Sequence, residues 1–573
     1  MSFIKPFICS AIFLIVLSEI AFSQSFPDAC AVHKRIIQHQ EEHQRVRQEH
    51  FQRHATEPPS GLKVQEEPEA KTDDSLQCIS VDTIEVAGVT LLSAQTIEDL
   101  TRKFSGRCLT LGDINSLLKH ITNAYIDRGF VTSRAYLPEQ EVSQGLLKIQ
   151  VIEGKIEDIR LNDGKGMKQN ELRTAFIGLK GGPLNLRDLE QGLDQLNRLQ
   201  SSDATMKLVP GSEPGMSVVT ISNDPTKRWR ASVGWDDSGQ KSTGKNQYML
   251  QFDKDNFIGL SDMLSVSYSA TPLPWEDDDH PKNSQSLSAY WSLPIGYWTL
   301  SLSASKFNYS TPLFGTTDVF KSEGDTCWQS VSVEKVVHRD AESKTSLGVS
   351  VEHRQVESRV AGAKLHASSY ETTDVGLKAT HARRLFEGSL SFGAEYHQGT
   401  NFLGSSEALD GEGVPVPHYE KWEGTLSYYR PFTLCEQDLT WASTLRAQYS
   451  PDTLYNAERM SIGSRYTVRG FAEDSLSGDT GGYVRNELSW HIPSSKDVIP
   501  KVQALEVFAG YDYGMILKDE DEPFERGEVQ SVSLGLRTIG DFVVDVTCSK
   551  TFSAPSFIKR KNFEIYSSVT ASF

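Results

Sequence analysis

The sequence has little of what a helical membrane protein or a nucleic-acid-binding protein needs. After the first 25 residues it contains no run of about 18 apolar residues, which excludes a membrane-spanning helix there. Hydrophobic residues make up only 38% of the chain, and the net charge is −18. This acidic balance disfavours nucleic acid as a partner, because phosphate binding requires clustered lysine and arginine.

The motifs of common enzyme and metal sites are also missing. The chain has no GxSxG, no Walker loop, no dinucleotide fingerprint and no CxxC. The segment HQEEH at 39–43 is not an HExxH helix, because its glutamates stand at the third and fourth positions. His39, His43, His50 and His54 share one face of a predicted helix, but nothing else completes a zinc shell. We therefore predict no catalytic site, no metal site and no cofactor.

The N-terminal residues have the layout of a secretory signal. Lys5 precedes an apolar stretch from Phe7 to Leu17, and the small-residue site Ala21-Phe22-Ser23 follows it. The stretch is too short for an anchor helix, so we predict a cleaved signal peptide over 1–23. Export to an oxidising compartment follows from this signal.

Six cysteines remain after the signal, and two of them form the predicted disulfide. Cys78 and Cys108 bracket one short segment, and closing that loop stabilises a fold by ~3–4 kcal/mol. The other four cysteines are widely scattered along the chain.

A polar segment and a linker come next. Residues 24–55 include a long stretch without glycine or proline that is rich in glutamine, glutamate and arginine. This pattern predicts a polar helix with almost no apolar stripe, which cannot belong to a hydrophobic core. Residues 56–76 combine proline, glycine and acidic residues and predict a mobile linker. A polar helix on a flexible linker suggests a plug that docks in a wet cavity or swings free.

A structural repeat occupies 77–153 and 154–225. Each unit begins with a predicted strand, continues with two helices and ends with two strands. The second helix of each unit has an apolar face, formed by Ile114, Leu117, Leu118, Ile121 and Tyr125 in the first unit and by Leu186, Leu189, Leu193 and Leu196 in the second. The repeat predicts two tandem βααββ modules.

The remaining residues, 226–573, contain sixteen segments in which apolar and polar residues alternate. An even number of alternating strands of about ten residues is typical of an outer-membrane β-barrel. The links after odd-numbered segments are long and those after even-numbered segments mostly short, which a soluble β domain would not explain. We predict a 16-stranded antiparallel transmembrane barrel whose first strand enters from the periplasm.

The loop 451–481 follows the eleventh predicted strand and carries Arg469-Gly470 between two apolar residues, Val468 and Phe471. If this loop pointed outward, Arg469 would be one more solvated charge. If it folded into the lumen, a buried arginine–carboxylate fork would hold it in place as a latch. The lumen-facing carboxylates available for that fork are Asp512, Glu487 and Glu506.

The order of these features resembles the two-partner secretion transporters, the TpsB proteins of the ShlB/FhaC/HecB type within the BamA-like superfamily. VRGF at 468–471 is similar to the family's loop motif, and FAGYDYG at 508–514 is similar to its F-x-x-x-D-x-G strand motif. The resemblance covers essentially the whole mature chain and implies that both modules are POTRA domains. It implies a loop latch inside the barrel, formed by Arg469, Gly470, Phe471, Asp512, Gly514 and Glu487.

The same resemblance implies an outer-membrane translocator with POTRA domains in the periplasm, not an enzyme. Its partner would be an unfolded TpsA-type secreted protein, such as a haemolysin, adhesin or contact toxin. We expect docking at the second module, near helix 185–199 and strand 204–209, and ATP-independent export through the lumen. Outer-membrane lipid, periplasmic chaperones and the barrel-assembly machinery are the other implied partners.

Two alternatives stay open at this point. A BamA-like assembly factor would share the loop and the modules but would insert other barrels. Such factors usually resemble longer strings of POTRA domains, and only two fit between Cys78 and Asp224. A passive porin or surface receptor would need no substrate-docking modules.

Overall fold

The computed structural model describes residues 32–50, 57–58, 78–141, 145–162, 168–271, 282–315, 318–407, 411, 413–493, 502–517, 526–558 and 560–573. The predicted signal peptide lies outside the described residues, as does the predicted linker apart from 57–58. Of the predicted polar helix, residues 32–50 are described and form helix α1. No helix in these ranges is long and apolar enough to cross a membrane.

The first module packs two helices against a three-stranded sheet. Its elements are β1 (Cys78–Val81), β2 (Thr83–Ala87), α2 (Ala94–Thr101), β3 (Arg107–Thr110), α3 (Leu111–Asp127), β4 (Arg134–Tyr136) and β5 (Leu146–Ile152). The sheet has the order β2-β5-β4. A capping box of Thr110 and Asp113 starts α3, and its apolar face, including Leu117 and Ile121, is buried in the module core. β1 overlaps the strand predicted at the start of this module, but its pairing with β3 was not predicted, because the four-residue β3 carries no clear alternation.

The second module repeats this architecture. It consists of β6 (Lys155–Leu161), α4 (Gln169–Ala175), α5 (Leu186–Asn197), β7 (Thr205–Pro210) and β8 (Met216–Ser222), with sheet order β6-β8-β7. Its core is separate from that of the first module and includes Leu189 and Leu196 of α5. The predicted βααββ order is confirmed for the second module and for the three-stranded sheet and helices of the first, which has β1 and β3 in addition.

The barrel closes antiparallel through sixteen strands. They are β9 (Trp229–Asp236), β10 (Gln247–Asp255), β11 (Met263–Thr271), β12 (Asn283–Ile295), β13 (Trp298–Phe314), β14 (Val319–Arg339), β15 (Ser343–Val360), β17 (Tyr370–Leu385), β18 (Gly388–Thr400), β19 (Glu420–Leu434), β20 (Gln437–Tyr449), β23 (Gly481–Pro493), β24 (Val502–Ile516), β25 (Gly527–Gly540), β26 (Phe542–Ser553) and β27 (Glu564–Ser572). The two-residue β16 (Ala363–Lys364) extends the hairpin above β15, and 3₁₀ turns occur at His366–Ser368 and Phe402–Gly404. β27 pairs with β9 to close the cylinder. Each strand overlaps one of the sixteen predicted segments, so the barrel prediction is confirmed.

Alternating side chains face outward and into the lumen, as the sequence pattern predicts. On β24, Tyr511 is 45% exposed on the outer surface, whereas the neighbouring Asp512 is completely buried inside. The hairpin of β13 and β14 is much longer than predicted, with 17 and 21 residues in its two strands. Strand pairing there continues beyond the span that a bilayer requires, so the extracellular link itself is short.

Candidate functional site in the barrel lumen

The loop between β20 and β23 folds into the barrel instead of projecting from it. It contains a small hairpin of β21 (Met460–Ile462) and β22 (Leu476–Gly478). Its apolar side chains form a buried cluster with residues of the barrel wall. The loop contributes Met460, Ile462, Val468, Phe471 and Leu476, and the wall contributes Tyr483, Ile516 and Val529. Burial of this apolar surface stabilises the inward position of the loop.

Arg469 forms the fork that the sequence predicts as one of two possibilities. Its Nε donates to Asp512 Oδ2 at 2.7 Å and its Nη2 to Oδ1 at 2.8 Å. Nη1 donates to Glu487 Oε2 at 2.9 Å. The Arg469 side chain is only 1% exposed and that of Asp512 is fully buried. Bidentate, charge-assisted hydrogen bonds offset the cost of removing these charges from water.

Three glycines make room for this geometry. Gly470 has a φ of +97°, which an L side chain rarely adopts, and its N–H donates to the Tyr566 hydroxyl at 2.9 Å. A Cβ on Gly510 of β24 would lie 2.2 Å from Arg469 Nη2. A Cβ on Gly514 would lie 2.6 Å from Ile462. The strand motif therefore needs small residues on its lumen face so that the loop can approach.

The structure brings all six predicted latch residues together: Arg469, Gly470, Phe471, Asp512, Gly514 and Glu487. Glu506, the third carboxylate considered, instead accepts hydrogen bonds from Arg537 at 3.1 Å and Ser489 at 2.9 Å.

Sequence reasoning missed the arginines that surround the latch. Arg537 also pairs with Asp545 at 2.8 Å, and Arg465 of the loop pairs with the same carboxylate at 3.2 Å. Gly510 was not included among the latch residues either. The signal that could have found Arg537 and Gly510 is the alternation itself, because both occupy lumen-facing positions of neighbouring strands.

Helix α1 lies inside the lumen. Ile37 is buried against Val356, Tyr370 and Tyr455 of the wall and loop. Ile36 packs on Phe307 and Tyr309 on another side. The sequence correctly indicated a helix without a broad apolar stripe, but these two adjacent isoleucines nevertheless become buried because the barrel surrounds the helix.

α1 also contacts the latch loop. Glu42 accepts a hydrogen bond from Ser464 at 2.5 Å, and the His43 ring packs edge-on against Tyr466 at 4.9 Å. Arg35 of α1 lies 3.6 Å from Asp474. The plug and the loop that carries Arg469 are thus in direct contact.

The histidines of α1 lie close together, with the Nε2 atoms of His39 and His43 3.3 Å apart. His54 lies outside the described residues. Within the described ranges, no group of three or more histidine, cysteine, aspartate or glutamate side chains is arranged to hold a metal ion.

Helix α5 of the second module docks on the periplasmic links of the barrel. Arg339, at the end of β14, donates to Asp194 of α5 at 2.7 Å. Gln195 donates to the Gly296 carbonyl at 3.0 Å, and Arg198 donates to the Ser261 carbonyl at 2.9 Å. The helix expected to border a substrate groove thus contacts the barrel on one face, while β7 remains an exposed sheet edge.

Cys78 and Cys108 form a disulfide with their Cα atoms 5.4 Å apart. It connects β1 to β3 and fixes the beginning of the first module, where the linker joins it.

A closed sixteen-stranded barrel with two N-terminal POTRA domains, a helix in its lumen and an arginine-bearing loop folded inside is the architecture of an outer-membrane protein transporter. The family model for the haemolysin secretion/activation proteins ShlB/FhaC/HecB matches residues 215–538. The ShlB-type POTRA model matches 79–154, and a further POTRA model matches 155–210. The chain belongs to the ShlB/FhaC/HecB family.

Individual relatives agree with this assignment. The outer membrane transporter CdiB of Dickeya dadantii strain 3937 is 35% identical over 73% of this chain and 74% of its own length. The hemolysin transporter protein ShlB of Serratia marcescens is 32% identical over 72% of each chain. The solved structure of CdiB from Escherichia coli superimposes with a TM-score of 0.87 at 30% identity, covering 94% of this chain and 99% of that chain.

Members of this family are transporters and not enzymes. The chain is accordingly an outer-membrane transporter protein whose POTRA domains lie in the periplasm.

Proposed function

We propose that this protein is a dedicated exporter that passes one unfolded, secreted partner protein through its barrel lumen. The partner is a TpsA-type protein of the haemolysin, adhesin or contact-toxin class. The observation that carries the proposal is the occupied lumen: a helix of low apolar content fills the pore, held by polar contacts that a passing chain can replace.

The second module supplies a docking edge for such a partner. β7 lies at the edge of its sheet, and Leu208 and Val209 on this strand are exposed. An extended peptide can bind to an open sheet edge through main-chain hydrogen bonds, which depend little on the sequence of the peptide. An unfolded polypeptide that adds a strand to β7 is therefore captured close to the barrel entrance.

No ATP is required in this scheme. Binding at β7 and displacement of α1 start the transfer, and folding of the partner outside the cell makes it irreversible. Arg469 and its carboxylates hold the loop against the barrel wall, so that the lumen is open once α1 has left. Outer-membrane lipid surrounds the barrel, and periplasmic chaperones and the barrel-assembly machinery deliver and insert the transporter.

The test is a comparison of culture-medium and outer-membrane proteins from cells with and without this gene. Loss of one large secreted protein, with an unchanged outer-membrane profile, supports a dedicated exporter and identifies its partner. A general decrease in outer-membrane barrels would instead support an assembly factor that inserts other barrels.

A further inference from the structure

One side of the lumen is lined almost entirely by hydroxyl groups. β11, β12 and β13 together contain a single charged residue, Lys306, and its side chain faces outward. The lumen-facing serines lie opposite one another across the strands, with Ser267 paired to Ser288 and Ser288 paired to Ser305. We call the lumen face of these three strands the serine wall.

The other side of the lumen is charged. Lys421 on β19 pairs with Glu458 at 2.7 Å, and Arg354 on β15 pairs with the same carboxylate at 3.1 Å. The strands from β23 to β26 carry the carboxylates and arginines around the latch loop. The lumen thus has one side whose own side chains are neutral and one ionic side, and charged groups meet the neutral side at its border, where Ser265 donates to Asp253 of β10 at 2.6 Å.

α1 already shows what the serine wall binds. Gln40 Nε2 donates to Ser286 Oγ at 2.9 Å, and Ser305 Oγ donates to Gln44 Oε1 at 3.0 Å. A glutamine side-chain amide has the donor and the acceptor of a peptide group. On the ionic side the same helix uses charges, and Glu41 lies 3.1 Å from Arg354. The plug thus places two glutamine amides on the serine wall and an ion pair on the ionic side, and its Arg47 also donates to Ser267 of the serine wall at 3.4 Å.

Some hydroxyls of this region have no partner in the plugged state. Thr326 of β14 lies opposite Phe307 of β13 and is only 4% exposed. Its hydroxyl makes no hydrogen bond within the part of the chain that the structure describes. The Ser288 hydroxyl likewise makes no hydrogen bond within the described residues. A buried hydroxyl without a partner is unfavourable, so these groups are available to a ligand that can donate or accept.

The serine wall begins where the second module is docked. Arg198 contacts the link that precedes β11, and Gln195 contacts the link between β12 and β13. The module with the exposed β7 edge is therefore attached at the periplasmic ends of the strands that form the neutral side.

We propose that the serine wall is the surface along which the extended backbone of the exported polypeptide passes after α1 has left. The proposal rests on the proposed function and specifies the conducting side of the lumen. A hydroxyl both donates and accepts, so neighbouring serines can exchange hydrogen bonds with successive peptide groups whatever the side chains are. Fixed charges would instead retain oppositely charged side chains and make transfer depend on sequence.

The experiment places a photo-reactive benzoylphenylalanine at Ser288, Ser303 or Ser427 of the full-length transporter in the outer membrane. Ser427 is the matched control, because it faces the lumen from β19 on the ionic side and contacts Thr444. The probe is the secreted protein found by the gene-deletion comparison, fused to a disulfide-closed domain that stalls in the barrel. We expect cross-links about tenfold stronger at Ser288 and Ser303 than at Ser427.

Equal or stronger cross-linking at Ser427 would overturn the proposal, and so would a stalled partner that cross-links at none of the three positions. A wild-type strain that exports no protein would refute the proposed function itself, which distinguishes the two failures.

Arginine substitutions provide a second measurement. We expect Ser288→Arg to reduce export about tenfold, because a fixed charge and a long side chain enter the neutral side, and Ser427→Arg to have less than about a twofold effect. Heat-modifiable migration on gels establishes that each variant barrel is folded. Equal export by the two folded variants would contradict the assignment.

Discussion

Arg469 is a nearly completely buried cation whose position depends on Asp512 and Glu487. Removing it leaves Asp512 buried without its charge partner, and breaking a buried pair in this way costs about 3–5 kcal/mol. We predict that Arg469→Ala releases the loop and sharply reduces export while barrel insertion is retained. Secretion of the partner protein, normalised to the amount of folded barrel, measures this.

Two further variants sharpen that prediction. Arg469→Lys should also be defective, because an ammonium cannot form the planar fork with Asp512. Arg526→Lys, in an extracellular link, should export normally. Normal export by Arg469→Ala would show that export does not require the Arg469 side chain.

Gly510 tests the geometry of the same contact without changing any charge. A methyl group there would lie 2.2 Å from Arg469 Nη2, so the guanidinium must move away from Asp512. We predict that Gly510→Ala reproduces the export defect of Arg469→Ala. Gly424→Ala on β19 is the control, because nothing lies within 4 Å of its added Cβ. Equal export by the two glycine variants would show that the loop tolerates a displaced arginine.

Among single residues, the sequence motif was sufficient to find the buried contact of Arg469 with Asp512 but not its surroundings. The inward alternation of β24 places Asp512 in the lumen, and the VRGF segment marks the arginine. The contacts of Arg537 and Arg465 could not be predicted, because they depend on how neighbouring strands and the loop are arranged in three dimensions.

At the scale of secondary-structure elements, α1 is held in the lumen by two isoleucines and many polar contacts. Ile37 is 1% exposed and packs on Val356 and Tyr370. Burying a carboxylate there is unfavourable by several kcal/mol, on the order of 3 or more. We predict that Ile37→Asp loosens the plug and increases ion conductance through the purified protein in planar bilayers.

Arg35→Lys is the control for that measurement, because it keeps the charge of a residue whose side chain is half exposed. Unchanged conductance in Ile37→Asp would mean that the polar contacts alone hold α1 in place.

The junction of the two modules has a pH-dependent element. Glu153 accepts hydrogen bonds from the N–H groups of Thr90 and Leu91 at 2.7 and 2.8 Å and from the Tyr125 hydroxyl at 2.8 Å. Burial alone would raise the pKa of Glu153, but these hydrogen bonds outweigh it and hold the pKa below its usual 4.5. The carboxylate therefore stabilises the folded state above about pH 4.5, and this contribution is lost as the pH falls through the lower folded pKa.

We predict that Glu153→Gln lowers the melting temperature of a fragment spanning both modules, residues 78–223, by about 2–5 °C at pH 7. The difference from wild type should shrink towards pH 3, where both carry a neutral side chain. Thermal unfolding followed by circular dichroism at the two pH values measures it. A difference that does not change with pH would mean that the carboxylate charge has no role at this junction.

The elements were predictable where periodicity is strong. Alternation identified all sixteen barrel strands, and helical periodicity identified α3 and α5. β3 is too short to carry a period, so its pairing with β1 was not predicted. The length of the β13–β14 hairpin was underestimated, because the alternation gives no sign of where these strands end. The sequence predicted that α1 either docks in a wet cavity or swings free, and it could not decide between the two because the contacts of α1 are with distant strands.

At the scale of the whole molecule, three features follow one another from the periplasm outward. They are the exposed β7 edge, the docked second module and the plugged lumen. α5 attaches the module to the barrel through Arg339 and Asp194, and α1 occupies the path beyond it. The central claim of this arrangement is that the partner leaves through the lumen and that α1 must move first.

A thiol lock on the plug tests this claim most directly. Gln40 and Ser286 are in hydrogen-bond contact, so Gln40→Cys combined with Ser286→Cys allows α1 to be joined to β12 by oxidation or by a short bismaleimide. Each single-cysteine variant is a control. We predict that export stops when the oxidative link forms, remains normal in both single variants and resumes on reduction. Continued export from transporters whose plug is fully cross-linked would contradict the claim that α1 must move before the partner passes through the lumen.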